Sequence, residues 1–252
     1  MEQYFGASTP KLGFGLMRLP KLADGKIDVE QTKEMVDMFM SAGLTYFDTA
    51  YVYDGGDSEK AAKAALVDRY PRESYTLATK LCCWMGAHDE ESAKQQFYTS
   101  LERTGAGYFD YYLLHALQAG NYKKYEQYHL WDFVKELKAK GLIKHWGFSF
   151  HATPDILDEL LTEHPDAEFV QLQLNYADWE NPDVTARANY EVARNKQLVW
   201  GQLQEGAADY AKAVSGAGAA SDCVACGQCE RACPQQLKVI DYLKDCAAAF
   251  ER

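Results

Sequence analysis

The chain has no surplus of positive charge. Its 26 Lys and Arg stand against 37 Asp and Glu, a formal net charge of -11. Such a surface repels phosphate backbones and no basic run interrupts it, so nucleic acid is not an expected partner. The sequence also lacks any apolar stretch near the roughly 20 residues that cross a bilayer. Its first fifteen residues lack the basic start and apolar core of a leader. The expectation is a cytoplasmic protein with no membrane partner. Heptads and internal repeats are missing too. An even disulfide framework is excluded by the odd count of seven cysteines, four of which crowd into eleven residues. What is present is 47% hydrophobic residues in a chain of 252, enough for one large domain with an appendage.

From residue 12 to about 203, short apolar runs alternate with stretches of helical period, the pattern of βα units around a parallel sheet. Seven strands are predicted: Leu12 to Met17, Tyr46 to Thr49, Tyr75 to Leu81, Phe109 to His115, Ile143 to Ser149, Phe169 to Leu174 and Leu198 to Leu203. Asp28 ahead of Gln31, Thr153-Pro154 and Asn181-Pro182 read as helix starts, while Gly43 and Gly141 read as stops. After Leu203 a short helix, Ala207 to Val214, runs into small residues up to Ser221 that read as a linker. A last amphipathic helix, Val239 to Phe250, packs through Ile240, Leu243 and Phe250.

Behind the linker stands Cys223-x2-Cys226-x2-Cys229-x3-Cys233-Pro234. This spacing sets four soft thiolates on a tight loop whose amides can turn toward an anionic iron-sulfur cage. A zinc site would show two separated Cys-x2-Cys knuckles, and a redox dithiol needs one pair only. In such runs the fourth cysteine can serve a second cluster, and no second run exists here. The fourth ligand is therefore open, with Cys233 ranked ahead of Cys246 and the adjacent Cys82 and Cys83 behind both.

A second pattern is positional. Asp48, Lys80, His115, Ser149 and Asn175 occupy five successive strand ends. In a (β/α)8 barrel those ends converge on the face that carries active sites. Tyr53 lies on the loop after the second strand, where a nearby lysine would stabilise tyrosinate. Asp48 would hold Lys80 charged and in place. His115 would then orient a substrate carbonyl.

With those residues in view, Asp48-Thr-Ala-Tyr-Val-Tyr53, Ala78-Thr-Lys80, Leu113-Leu-His115 and Gly147-Phe-Ser149 resemble aldo-keto reductase signatures over roughly residues 12 to 200. More narrowly, Leu12-Gly-Phe-Gly-Leu-Met-Arg-Leu-Pro20 and the Cys-Gly-Gln-Cys portion near Cys229 resemble bacterial members that end in a 4Fe-4S ferredoxin-type segment. The resemblance implies a TIM barrel, NADPH as cofactor and a small carbonyl substrate. It implies Tyr53 as acid, Lys80 and Asp48 as its supports, His115 as carbonyl-orienting residue, and Ser149 and Gln171 at the nicotinamide amide. Phe150 replaces the family's usual Asn after that Ser.

A larger departure follows Leu203, where the family continues through a phosphate-binding loop, an eighth strand and a basic motif for the adenosine phosphate. Nineteen residues separate Leu203 from Cys223, too few for helix, strand and helix. The expectation is an incomplete α/β barrel of about seven strands over residues 1–204, a short helix and linker over 205–221, and a 4Fe-4S segment with a terminal helix over 222–252. An open strand edge needs covering by a helix or by a second copy of the chain. Two functions stay open. One is an NADPH-dependent carbonyl reductase carrying a 4Fe-4S cluster. The other is an electron-transfer or cluster-carrying protein on a degenerate barrel, with an electron-transfer partner.

Overall fold

The computed structural model describes residues 10–174, 186–200, 218–232 and 239–250. The chain divides into two compact units, residues 1–187 and 188–252. In the first, six parallel strands pair in sequence order: β1 (Gly13–Gly15), β2 (Tyr46–Asp48), β3 (Thr76–Leu81), β4 (Phe109–Leu117), β5 (Ile143–Phe150) and β6 (Phe169–Leu172). Between them run α1 (Val29–Ser41), α2 (Asp57–Ala62), α3 (Glu90–Thr104), α4 (Tyr122–Gln127), α5 (Leu130–Ala139) and α6 (Pro154–Glu163). Sequential parallel pairing with a helical crossover at each step curls the sheet as the first part of a (β/α)8 barrel.

The helix ends follow local chemistry. Asp28 accepts the Gln31 amide at 3.0 Å and so satisfies a donor left free at the start of α1. Asp89 and Ser92 form a reciprocal capping box on α3, with the Ser92 amide donating to Asp89 at 2.8 Å. Pro154 opens α6, and Gly43 and Gly141 follow α1 and α5 with φ of 76° and 71°, a left-handed conformation that glycine adopts without penalty.

Strand alternation sorts side chains into two faces. Phe47, Tyr112 and Phe148 face the helices, where Phe39 stands 5.1 Å from Phe47, Phe97 5.1 Å from Tyr112, and Trp131 5.6 Å from Phe148, ring centre to ring centre. Each such ring, fully buried, stabilises the fold by about 1.5–3 kcal/mol. On the other face Ala78, Tyr111 and Leu113 form a cluster with Tyr46 and Phe169 packed against it. One further residue along each strand pair, the same face carries Asp48, Lys80, Ser149 and Gln171.

The seventh predicted strand is corrected in part. Its first residues, 198 to 200, complete helix α7 (Ala186–Trp200), and its remainder lies outside the described residues. So do Asn175, the Asn181-Pro182 start and the helix predicted at Ala207 to Val214. Among the described residues the sheet has six strands, with β1 and β6 at its ends. In the second unit a 3-10 turn (Ala220–Asp222), α8 (Gln228–Ala232) and α9 (Val239–Phe250) pack together. Glu230 accepts the Ile240 amide at 2.9 Å and caps α9. Among the described residues no helix is long and apolar enough to cross a membrane.

Candidate active site

Four of the predicted residues meet at the C-terminal ends of β2, β3 and β4. Lys80 is buried and donates to Asp48 Oδ1 at 2.5 Å and to the Thr49 carbonyl at 2.8 Å. A buried ammonium persists only when paired in this way. Its Nζ lies 5.0 Å from the centre of the Tyr53 ring. That ring meets the His115 imidazole edge to face, with centres 5.5 Å apart. Asp48, Lys80, Tyr53 and His115 thus form one contiguous set.

A kink in β4 presents His115. The register between β4 and β5 shifts between Leu114 and Leu117, and Ala116 takes a left-handed φ of 52°. A bulge of this kind re-aims a side chain at the end of a strand. Ser149 holds it by accepting the Ala116 amide at 2.7 Å, and Asn121 donates to the Ala116 carbonyl at 3.0 Å. Tyr125 donates to the His115 carbonyl, as does the Trp84 indole at 3.4 Å. Burial, then the charge of Lys80, then His151, depress the His115 pKa to about 3. The imidazole is therefore neutral at neutral pH, and its Nδ1 is buried with no hydrogen-bond partner among the described residues.

Gln171 joins from β6, donating its amide to Asp48 Oδ2 at 3.3 Å. Asp48 is thereby held at both oxygens. Among the described residues nothing donates to the Gln171 amide oxygen or accepts from the Ser149 hydroxyl. Phe150 is buried and adds no polar contact. Sequence reasoning missed Trp84, whose ring lies 6.1 Å from His115. An aromatic residue four positions beyond a strand-end lysine is the only signal available for it.

The cysteine run lies in the second unit. Cys223, Cys226 and Cys229 are exposed and free of disulfides, while Cys233 lies outside the described residues. Ala225 and Gly227 both take left-handed φ, 53° and 70°. Exposed thiols of this kind are soft donors, a chemistry that zinc and iron-sulfur centres share.

The family model for the "Aldo/keto reductase family" matches residues 11–249. A probable aldo-keto reductase of Glycine max is 28% identical over 184 residues, covering 69% of this chain and 50% of that protein. An aldo-keto reductase of Mycolicibacterium paratuberculosis is 31% identical over 159 residues, 62% of this chain and 49% of its own. The chain spans about half the length of these relatives. Among solved structures, the holo form of an aldo-keto reductase from Bacillus halodurans superposes with a TM-score of 0.52 at 26% identity, covering 65% of this chain and 53% of that one. An aldo-keto reductase from Klebsiella pneumoniae, solved with NADPH, shares the fold at a TM-score of 0.58 and 20% identity, covering 75% and 61%. With the family model spanning both units, the chain belongs to the aldo/keto reductase family.

Proposed function

We propose that this protein is an NADPH-dependent oxidoreductase that reduces an aldehyde or ketone, and that it carries a 4Fe-4S cluster on Cys223, Cys226, Cys229 and Cys233. The observation that carries the first part is the joining of Asp48, Lys80, Tyr53 and His115 into one contact set. Bound NADPH supplies the hydride that adds to the carbonyl carbon. The Tyr53 hydroxyl gives its proton to the carbonyl oxygen, so that an alcohol and NADP+ leave. Lys80, fixed by Asp48 and Thr49, stabilises the phenolate left behind. Neutral His115 orients the carbonyl through a ring N–H.

A nicotinamide carboxamide offers one acceptor oxygen and one donor nitrogen. Ser149 has a spare O–H and Gln171 a spare amide oxygen, a matching pair. This complementarity supports both as cofactor-binding residues. The test is NADPH consumption with a panel of carbonyls. Tyr53→Phe is expected to slow the reaction on the order of 10²–10⁴-fold, and equal rates for both chains reject the proton-donor role.

The exposed thiols of the second unit favour a cluster whatever the first unit does, and they sustain an electron-transfer reading if carbonyl reduction fails. Iron and sulfide content after anaerobic purification tests it. Cys226→Ser is expected to lose the cluster, and an iron-free, colourless native chain refutes it.

A further inference from the structure

The loop that carries Tyr53 turns through three left-handed residues. Asp54, Gly55 and Gly56 take left-handed φ one after another, at 49°, 64° and 98°. Glycine adopts this conformation freely and aspartate tolerates it, so what fixes the loop is the packing around it. The surroundings here are a charged pair that the chemistry above does not use.

Glu59, on α2, is fully buried. One carboxylate oxygen accepts the Thr79 hydroxyl at 2.7 Å, and the other faces Arg103 of α3 at 3.2 Å. Arg103 in turn donates to the Tyr51 carbonyl at 3.0 Å, and its guanidinium lies over the Tyr51 ring at 4.4 Å. It fills the space beside Gly56, where a Cβ would fall 2.4 Å from Cζ. The Tyr51 amide donates to the Lys80 carbonyl at 3.1 Å. Tyr51 is therefore fixed at both backbone ends, to the Lys80 strand and to Arg103, two residues before Tyr53.

We infer that Glu59 and Arg103 are positioning residues that set the Tyr53 ring against Lys80 by clamping the Tyr51–Gly56 loop, an inference that rests on the proton-donor reading of Tyr53. Removing a buried charge's partner costs more than a lost surface pair. The planar guanidinium is also needed, because one group must reach a carboxylate and a carbonyl while stacking on a ring. Lysine supplies the charge without that geometry.

Carbon-13 NMR of protein labelled at tyrosine Cζ tests the inference, with the Tyr53 signal identified by its loss in Tyr53→Phe. Arg103→Met, and separately the isosteric Glu59→Gln, are expected to move that signal. Both are expected to lower kcat on the order of tenfold to a hundredfold with KM within a factor of about two. Arg103→Lys recovers part of each effect. Arg69→Met, at the surface pair with Asp37, leaves the signal in place. An unmoved Tyr53 signal in a folded Arg103→Met or Glu59→Gln chain overturns the inference. A moved signal sustains the clamp even if the native and Tyr53→Phe chains reduce carbonyls equally, a result that counts against the proton-donor reading alone.

Discussion

Gln171 and Asp48, 123 residues apart, share a hydrogen bond of 3.3 Å from the side-chain amide to Oδ2. Three strands stand between their own in the sheet, so the contact exists only because the sheet curls. It links Gln171 through Asp48 to Lys80, beside the cluster in which Tyr46 and Phe169 pack against Tyr111. Gln171→Leu should remove a bond to a charged acceptor and cost about 1.5–3 kcal/mol. Urea unfolding of the two chains measures it, and coincident curves would show that the bond contributes nothing.

Lys80 is almost wholly buried against Asp48, at 1% side-chain exposure. Lys80→Met leaves Asp48 with only the Gln171 amide and takes the ammonium from the Thr49 carbonyl, a loss of about 3–5 kcal/mol. The double variant Lys80→Met/Asp48→Leu should regain part of the loss, because it removes the orphaned charge. Denaturation midpoints in the order native, double, single are expected. A single variant as stable as the native chain contradicts the pairing.

His115 gives a pH signature. An unfolded histidine takes up its proton near pH 6.5, whereas burial holds folded His115 neutral down to about 3. Between those values the unfolded state binds more protons, so this group's contribution falls as pH drops from 6.5 toward 3. The loss between pH 7 and 5 is about 2 kcal/mol. His115→Gln should lack it. Unfolding free energies at the two pH values, equal in slope for both chains, would refute the buried neutral state.

Gly147 sits where β5 approaches β6, and a Cβ there would fall 2.2 Å from the Phe169 carbonyl oxygen. Gly147→Ala must push a backbone rather than a flexible side chain. Overpacking of this kind costs about 1–3 kcal/mol. Hydrogen exchange over Phe169–Leu172 should quicken, while exchange in β3 stays slow. Unchanged protection of β6 would contradict the close approach.

Much of this layout was legible from alternation. Asp48, Lys80, His115 and Ser149 stand at successive strand ends and so fall at one end of the sheet, and the parallel order of the first six strands follows from the intervening helices. Other features leave no mark in the residue string. Ala116 does not advertise a left-handed conformation, so the bulge that aims His115 was invisible. Glu59 and Arg103 look like any charges on amphipathic helices, because burial is decided by what folds over them. The apolar residues Leu198 to Trp200 read equally well as strand or helix end, and the chain uses them to finish α7.

Carbonyl reduction by this chain requires a hydride donor bound beside Tyr53. Fluorescence titration of anaerobically prepared protein with NADPH tests it most directly. Saturable binding is expected, weakened by Ser149→Ala and by Gln171→Leu. A featureless titration at millimolar cofactor would contradict the claim and leave the cysteine segment as the chain's functional part.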